Sequence, residues 1–545
     1  MLLILFAAAT TAQPEIAADY LRLQDRWLLL AQAVSWVLVL AGAMMWRRAA
    51  PLSLPRWAPG AIAVGLAVLC WAGHRWLLLG HALSRDEQMA VFDARIYAAG
   101  RLAWPLPTAW RADAGALNLL FMLPIGRPVA WVSGYLPGNA VLQAGFGTLT
   151  GPLLVAVAVL ALWGCARRLF VTDREAAVVA LILFVLSGQM VMAGMTAFAM
   201  PAHLAFNLVW LWLFLRDTRR ADVAALVVGF VATGLHQPLF HPMFVAPWLA
   251  VVLWDRRWGR LALFCGVYGA IGLFWLWWPH VTLSLVKGPD SVFVDVGSDY
   301  LSRLIDTVTH NVQNGPIMAA NLLRLANWSH LALWPLVALG ALVVRRDRRA
   351  AALLGGLALT VGVMAILLPF QGHGFGYRYL HGLLGNAALL GGFGWARLGA
   401  VARDRWRGGF VAASLATALV LMPLQAWLTH RIYAPFAHVS ARIDASGADY
   451  VMIGMDDAPL SLDLVINRPD LSNRPIRLSA NDIDNIDRLA AHICRGGAMI
   501  ALPADGLYTE IDRAFGTAAT GAASQRIATD RDEFEDAGCR VMVLG

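Results

Sequence analysis

Apolar runs of roughly 20 residues recur from residue 27 to residue 429, separated by short polar stretches. At ~1.5 Å rise per residue, each run is long enough to cross a ~30 Å hydrocarbon core as a helix. A helix satisfies its own backbone groups in lipid, so the pattern predicts an α-helical polytopic membrane bundle. The runs fall near 27–46, 59–80, 150–166, 176–195, 202–215, 222–237, 240–254, 261–280, 328–344, 350–369, 380–396 and 409–428, giving about 12 spans. Segments beside Pro201 and Pro238 are short, and broken or re-entrant pieces are the alternative there.

Polar positions supply the orientation. Arginines gather in short clusters: Arg47, Arg48 and Arg56; Arg167, Arg168 and Arg174; Arg216, Arg219 and Arg220; Arg256, Arg257 and Arg260; Arg345 to Arg349; and Arg397 to Arg407. Two apolar runs separate each cluster from the next, the pattern produced when alternate loops stay in the cytoplasm. The net charge of +8 therefore encodes topology, and no nucleic-acid partner is expected. Twelve of the thirteen histidines fall in or beside the outer segments, with His74 alone inside a span.

Composition agrees with a lipid solvent: 14% of residues are charged and 59% hydrophobic, against about 25% charged in soluble domains. The balance reverses after His430, where 11 arginines face 17 Asp and Glu. Residues 430–545 read as a small soluble α/β domain on the outer side. Strand-like runs cover 450–455, 498–502 and 540–544, and helical patterns cover 482–494 and 507–515. Cys494 and Cys539 would there meet an oxidising compartment and pair. Residues 1–26 form a signal-like segment and outer lead-in, with residues 27–429 the membrane domain and 81–149 its first outer loop. Arginine outnumbers lysine 42 to one, a coding bias that points to a GC-rich bacterium and its inner membrane, with the tail in the periplasm.

Candidate chemistry starts in that first loop, which opens Ser84-Arg85-Asp86-Glu87 directly after a span. On a helix, Asp86, Asp93 and Tyr97 share one face, with Arg101 nearby. Such a face can hold a general base; the plainer reading is an acidic pair capping a helix N-terminus. The loop closes in SGYLPGN, and a later outer turn reads QGHGFGYRYLHG. His236 and His241 raise the alternative of a divalent metal, although five-residue spacing is no standard ligand pair. No cofactor is otherwise implied. Asp290, Asp295 and Asp299 read as a solvated loop, followed by an amphipathic surface helix over 300–312.

Asp86 with Glu87, the Tyr135, Pro137 and Gly138 turn, and Arg378 with Tyr379 resemble motifs of the GT-C superfamily of lipid-dependent glycosyltransferases. That group includes protein mannosyltransferases (glycosyltransferase family 39) and aminoarabinose transferases. The resemblance implies an inverting hexosyl- or pentosyltransferase that takes its sugar from a polyprenyl-phosphate donor within membrane lipid. The acceptor is a glycan, lipid or protein. Asp86, with Glu87, is implied as the catalytic carboxylate. Arg378, Tyr379, His373 and His381 are implied as donor-phosphate residues, and Asp93, Tyr97 and Tyr135 as substrate-positioning ones. Relatives often carry a basic residue just after the acidic pair, where this chain has Gln88 and Met89; Arg85 or Arg95 is the substitute. A transporter or flippase for a lipid-linked substrate, or a polysaccharide polymerase or ligase, are the alternatives.

Overall fold

A computed structural model describes residues 19–45, 50–118, 121–123, 125–293, 309, 315–369 and 371–545. The expected leader and nearly all of 294–314, including Asp295 and Asp299, lie outside the described residues. The chain forms two compact units. The first comprises Met1–Gly73, Thr148–Leu276 and Asp299–Leu428; the second comprises His74–Gly147, Trp277–Ser298 and Thr429–Gly545.

The first unit is helical, and the chain is a multi-pass membrane protein. Among the described residues, five helices are long and apolar enough to cross a membrane: Leu21–Met44, Gly138–Leu169, Trp258–Val286, Arg348–Leu367 and Ala400–Asp444. Met200–Phe214 and Phe240–Trp254 are shorter apolar helices. Leu30, Val34, Val37 and Leu273 stand exposed on such helices, as side chains that face lipid do.

Small residues let helices approach closely. A Cβ at Gly340 would lie 2.1 Å from the carbonyl of Leu390, and one at Gly394 would lie 2.0 Å from that of Leu336. Leu333–Ala341 and Leu384–Arg397 therefore pack backbone to backbone at Gly340 and Gly394.

Several elements depart from the apolar runs. The first helix starts before residue 27, in a π-turn over Leu21–Asp25 that buries Gln24 and Asp25. The run 176–195 is two helices, Arg174–Val185 and Gly188–Ala193, because the Ser187 hydroxyl caps Met190 N and restarts the helix. The run 328–344 contributes only Leu333–Ala341, preceded by Gly315–Asn327. The last helix continues to Asp444 rather than ending near 428. Ile432, Tyr433, Phe436, Val439 and Ile443 keep a buried stripe at helical spacing through the point where overall composition turns polar.

In the second unit, β1 (Tyr450–Ile453), β2 (Ile476–Ser479), β3 (Met499–Pro503) and β4 (Arg540–Leu544) form one parallel sheet in the order β2-β1-β3-β4. Helices Ile486–Ile493, Thr509–Phe515 and Ala522–Asp536 connect its strands. Cys494 and Cys539 are disulfide-bonded, closing 45 residues. This sheet shares a core with the segment 89–132. Met89, Phe92 and Ile96 from helix Arg85–Ala98, and Trp110 and Trp131 beyond it, pack with Met452, Leu478, Leu489, Ile500 and Phe534. Trp131 Nε1 donates to the carbonyl of Pro469 at 2.9 Å, and Arg488 pairs with buried Asp113 at 2.7 Å.

Candidate functional site

The residues singled out by sequence fall into two sets. Asp86, Glu87, Asp93, Tyr97 and Tyr135 belong to the second unit, and His373, Arg378, Tyr379 and His381 to the first.

In the second unit, Ser84 is the N-cap of helix Arg85–Ala98. Its hydroxyl accepts from Asp86 N at 3.2 Å, while Glu87 Oε2 accepts from Ser84 N at 3.3 Å, a reciprocal capping box. Glu87 is 1% exposed and also accepts the Tyr433 hydroxyl at 3.0 Å. The capping reading of the acidic pair therefore belongs to Glu87. Asp86, half-buried, enters the box through its backbone N, and its Oδ1 accepts a hydrogen bond from the Tyr135 hydroxyl.

Seven residues on, Asp93 fixes the partner of that partner. Its Oδ1 accepts from Ser133 N at 3.0 Å and its Oδ2 from Ser133 Oγ at 2.5 Å, and Ser133 Oγ in turn accepts from Tyr135 N at 3.2 Å. The helical spacing thus brings Asp86 and Asp93 onto the single segment Ser133 to Tyr135. Burial pushes the Asp93 carboxyl up to about 6, against the lowering effect of the Ser133 hydrogen bonds. Tyr97 packs half-buried against the core, and burial together with Asp93 raises its phenol. Arg101 lies past the helix end, its guanidinium 4.9 Å from the Trp104 ring centre.

Neither Gln88 nor Arg85 is placed as a substrate cation. Gln88 is neutral and buried, and its amide donates to the carbonyls of Ala82, Leu83 and Asp463. Arg85 is 3% exposed and donates to the carbonyls of Leu462 and Val465, with its Nε 3.5 Å from Asp463. It ties the helix start to the tail. Arg95 is exposed.

In the first unit, the QGHGFGYRY segment is a tight turn whose glycines are structural. Gly374 and Gly376 have φ of +146° and +60°, and a Cβ at Gly374 would sit 2.4 Å from Arg378 Cδ. Gln371 and Gln189 brace it: Gln371 Nε2 donates to Gly376 O, its Oε1 accepts from Arg378 N, and Gln189 exchanges hydrogen bonds with the Tyr377 backbone. Arg378 is 9% exposed, and its Nη1 donates to His373 O at 2.6 Å. Its guanidinium lies 5.2 Å from the Phe198 ring centre and 5.8 Å from that of Tyr379, which stacks on Phe240. His373 Nδ1 is 2.6 Å from the Tyr20 hydroxyl. His381 is buried, its Nε2 lacking a hydrogen-bond partner among the described residues, as do both ring nitrogens of buried His203.

Behind the turn stands a pair that sequence reading missed. Asp25 and Arg324, fully buried and 2.9 Å apart, join the first helix to Gly315–Asn327, and Arg324 Nη2 donates to Gly374 O at 2.9 Å. Trp328 Nε1 donates to Asp25 at 3.1 Å. A buried pair with further hydrogen bonds fixes geometry. Two charges at the margins of apolar runs were the available signal, as was Gln189 inside one.

His241, raised as a metal ligand, uses both nitrogens: Nδ1 is 2.7 Å from Asn207 Oδ1 and Nε2 2.8 Å from the Tyr268 hydroxyl. Among the described residues, no group of three or more His, Cys, Asp or Glu is arranged to hold a metal ion.

No protein-family model matches the chain. No curated protein matches it either. Among solved structures it is similar to ArnT from Cupriavidus metallidurans bound to undecaprenyl phosphate, at 14% identity over 76% of this chain and 86% of that one, with a TM-score of 0.47. The apo form of that ArnT gives 13% identity, 86% and 90% coverage and a TM-score of 0.44. Archaeal oligosaccharyltransferase AglB from Archaeoglobus fulgidus, in complex with an inhibitory peptide and a dolichol-phosphate, gives 12% identity, 85% and 69% coverage and 0.41. Identities this low and TM-scores below 0.5 leave the chemistry to be argued from the side chains.

Proposed function

We propose that the chain is an inverting membrane glycosyltransferase that moves a sugar from a polyprenyl-phosphate donor to an acceptor hydroxyl on the periplasmic face of a bacterial inner membrane. The observation that carries this reading is the division of labour in the acidic pair. Glu87 is consumed by the helix cap and Tyr433, whereas Asp86 is half-exposed and oriented by Tyr135. A carboxylate held in a fixed orientation at the positive end of a helix suits general-base work.

In the proposed reaction, Asp86 takes the proton of the acceptor hydroxyl as that oxygen bonds to the anomeric carbon. The carbon's bond to the phosphate oxygen breaks on the opposite face, and polyprenyl phosphate leaves with the electron pair. Negative charge grows on the leaving phosphate, and a preorganised cation stabilises it best. Arg378 is assigned that role, since its planar fork suits phosphate and its turn is braced on several sides. His373, Tyr379 and His381 are assigned to the same donor subsite. Glu87 positions Asp86 by fixing the helix start, Asp93 positions Tyr135 through Ser133, and Tyr97 completes the substrate-facing set. About twelve spans over 27–429 form a GT-C-like bundle in this reading, with residues 430–545 a periplasmic α/β domain.

The test is product analysis. Purified protein given polyprenyl-phosphate hexoses and pentoses together with glycan, lipid and peptide acceptors should release free polyprenyl phosphate from at least one donor and form a glycoside of opposite anomeric configuration. Retention of configuration, or translocation of the intact lipid-linked sugar without cleavage, contradicts the proposal.

A further inference from the structure

The second unit contains a cavity of about 740 Å³ that the assignments above do not use. Its wall includes the carboxylates of Asp482 and Asp484, both exposed, and the guanidinium residues Arg111 and Arg127. Phe121, 46% exposed, supplies aromatic surface, with buried Trp131 behind the wall. Asn118 also lines it. Its Oδ1 accepts from Asn467 N at 3.1 Å, which fixes the orientation of the amide. Its Nδ2 is buried and has no hydrogen-bond partner among the described residues, in a residue only 4% exposed. Buried amide donors in proteins are nearly always satisfied.

Two more features single out this wall. Phe121 and Arg127 both have left-handed backbones, φ +69° and +53°, a conformation that bulky residues seldom hold and that concentrates at ligand clamps. The Phe121 ring also lies 5.4 Å from that of Tyr135, the residue whose hydroxyl meets Asp86.

We infer that this cavity binds a saccharide, and that the saccharide is the acceptor end of the substrate; the second clause rests on the proposed glycosyltransferase reading. The Asp482 and Asp484 carboxylates accept from sugar hydroxyls, while the Arg111 and Arg127 guanidinium groups donate to ring and hydroxyl oxygens. Phe121 covers the apolar C–H face. A strongly anionic head group is disfavoured, because Asp482 and Asp484 balance the two arginines. The contact from Phe121 to Tyr135 connects the cavity wall to the side chain that orients Asp86.

Binding is measured on full-length protein in lipid nanodiscs, without any donor, by saturation-transfer NMR with trisaccharides of glucose, mannose and N-acetylglucosamine. At least one should show transfer. Phe121→Ala and Asp484→Asn should each weaken its Kd about tenfold, the equivalent of one hydrogen bond to a charged group. Both residues are exposed, and an unchanged thermal midpoint will show that each variant folds. No transfer from any trisaccharide, transfer that both variants leave intact, or displacement of the sugar by a short peptide overturns the inference. Because no donor is present, sugar binding that survives alongside a failed anomer experiment would sink the glycosyltransferase reading and leave the saccharide site standing.

Discussion

Tyr135 donates its phenolic hydroxyl to Asp86 across 49 residues of chain, and Ser133 and Asp93 hold that tyrosine in place. Tyr135→Phe removes only the hydroxyl. If the tyrosine orients the base, kcat should fall about tenfold to a hundredfold, the scale of a hydrogen bond to a charged group, with little change in the KM of the donor. Steady-state kinetics on purified protein provide the check.

Glu87 should behave differently from its neighbour. Glu87→Gln keeps an acceptor for Ser84 N and Tyr433, so activity should stay within several-fold of the parent. Glu87→Ala leaves both donors without it and should lower stability by roughly 1–3 kcal/mol. Comparing thermal midpoints with specific activities separates the two outcomes.

The turn that carries Arg378 makes a steric prediction. Gly374→Ala would place a methyl group 2.4 Å from Arg378 Cδ on a backbone at φ +146°, forcing the arginine to shift. Arg378→Lys keeps the charge and loses the fork. Both should reduce kcat/KM for the donor by about ten- to a hundredfold, and the lysine variant should still bind the lipid donor in an equilibrium assay.

Asp93 gives a pH dependence of known sign. Its carboxyl is raised from the usual 3.8 to about 6 by burial, so the folded state binds the proton more tightly than the unfolded state. Its contribution is fully present below the unfolded value and is lost as pH rises through about 6, a difference of roughly 3 kcal/mol at most. Asp93→Asn retains an acceptor for Ser133 N and cannot ionise. The stability gap between parent and variant should change across pH 4 to 6 and stay level above that window, as read by thermal unfolding at several pH values.

Legibility in the sequence followed the range of the interaction. The spacing of Asp86 and Asp93 put both on one helix face because helical periodicity is local. That Glu87 alone closes the cap depends partly on Tyr433, 346 residues away, which no local pattern reveals. The Asp25 to Arg324 pair, 299 residues apart, was hidden for the same reason, with Asp25 read as lead-in outside the first span. β2 was missed because its four residues, Ile476 to Ser479, are the shortest run that alternation can mark, and its polar positions Arg477 and Ser479 are buried with the apolar ones. The last helix was cut short where composition changed, although its buried stripe continued to Ile443.

The central claim is that Asp86 is the base. The decisive measurement is transfer of labelled sugar by Asp86→Asn in membranes where its accumulation and thermal midpoint match those of the parent. Loss of transfer by about a hundredfold or more, with donor binding retained, is the predicted result. Transfer at the parental rate would contradict the account and favour a polysaccharide polymerase or ligase in which this carboxylate is replaceable.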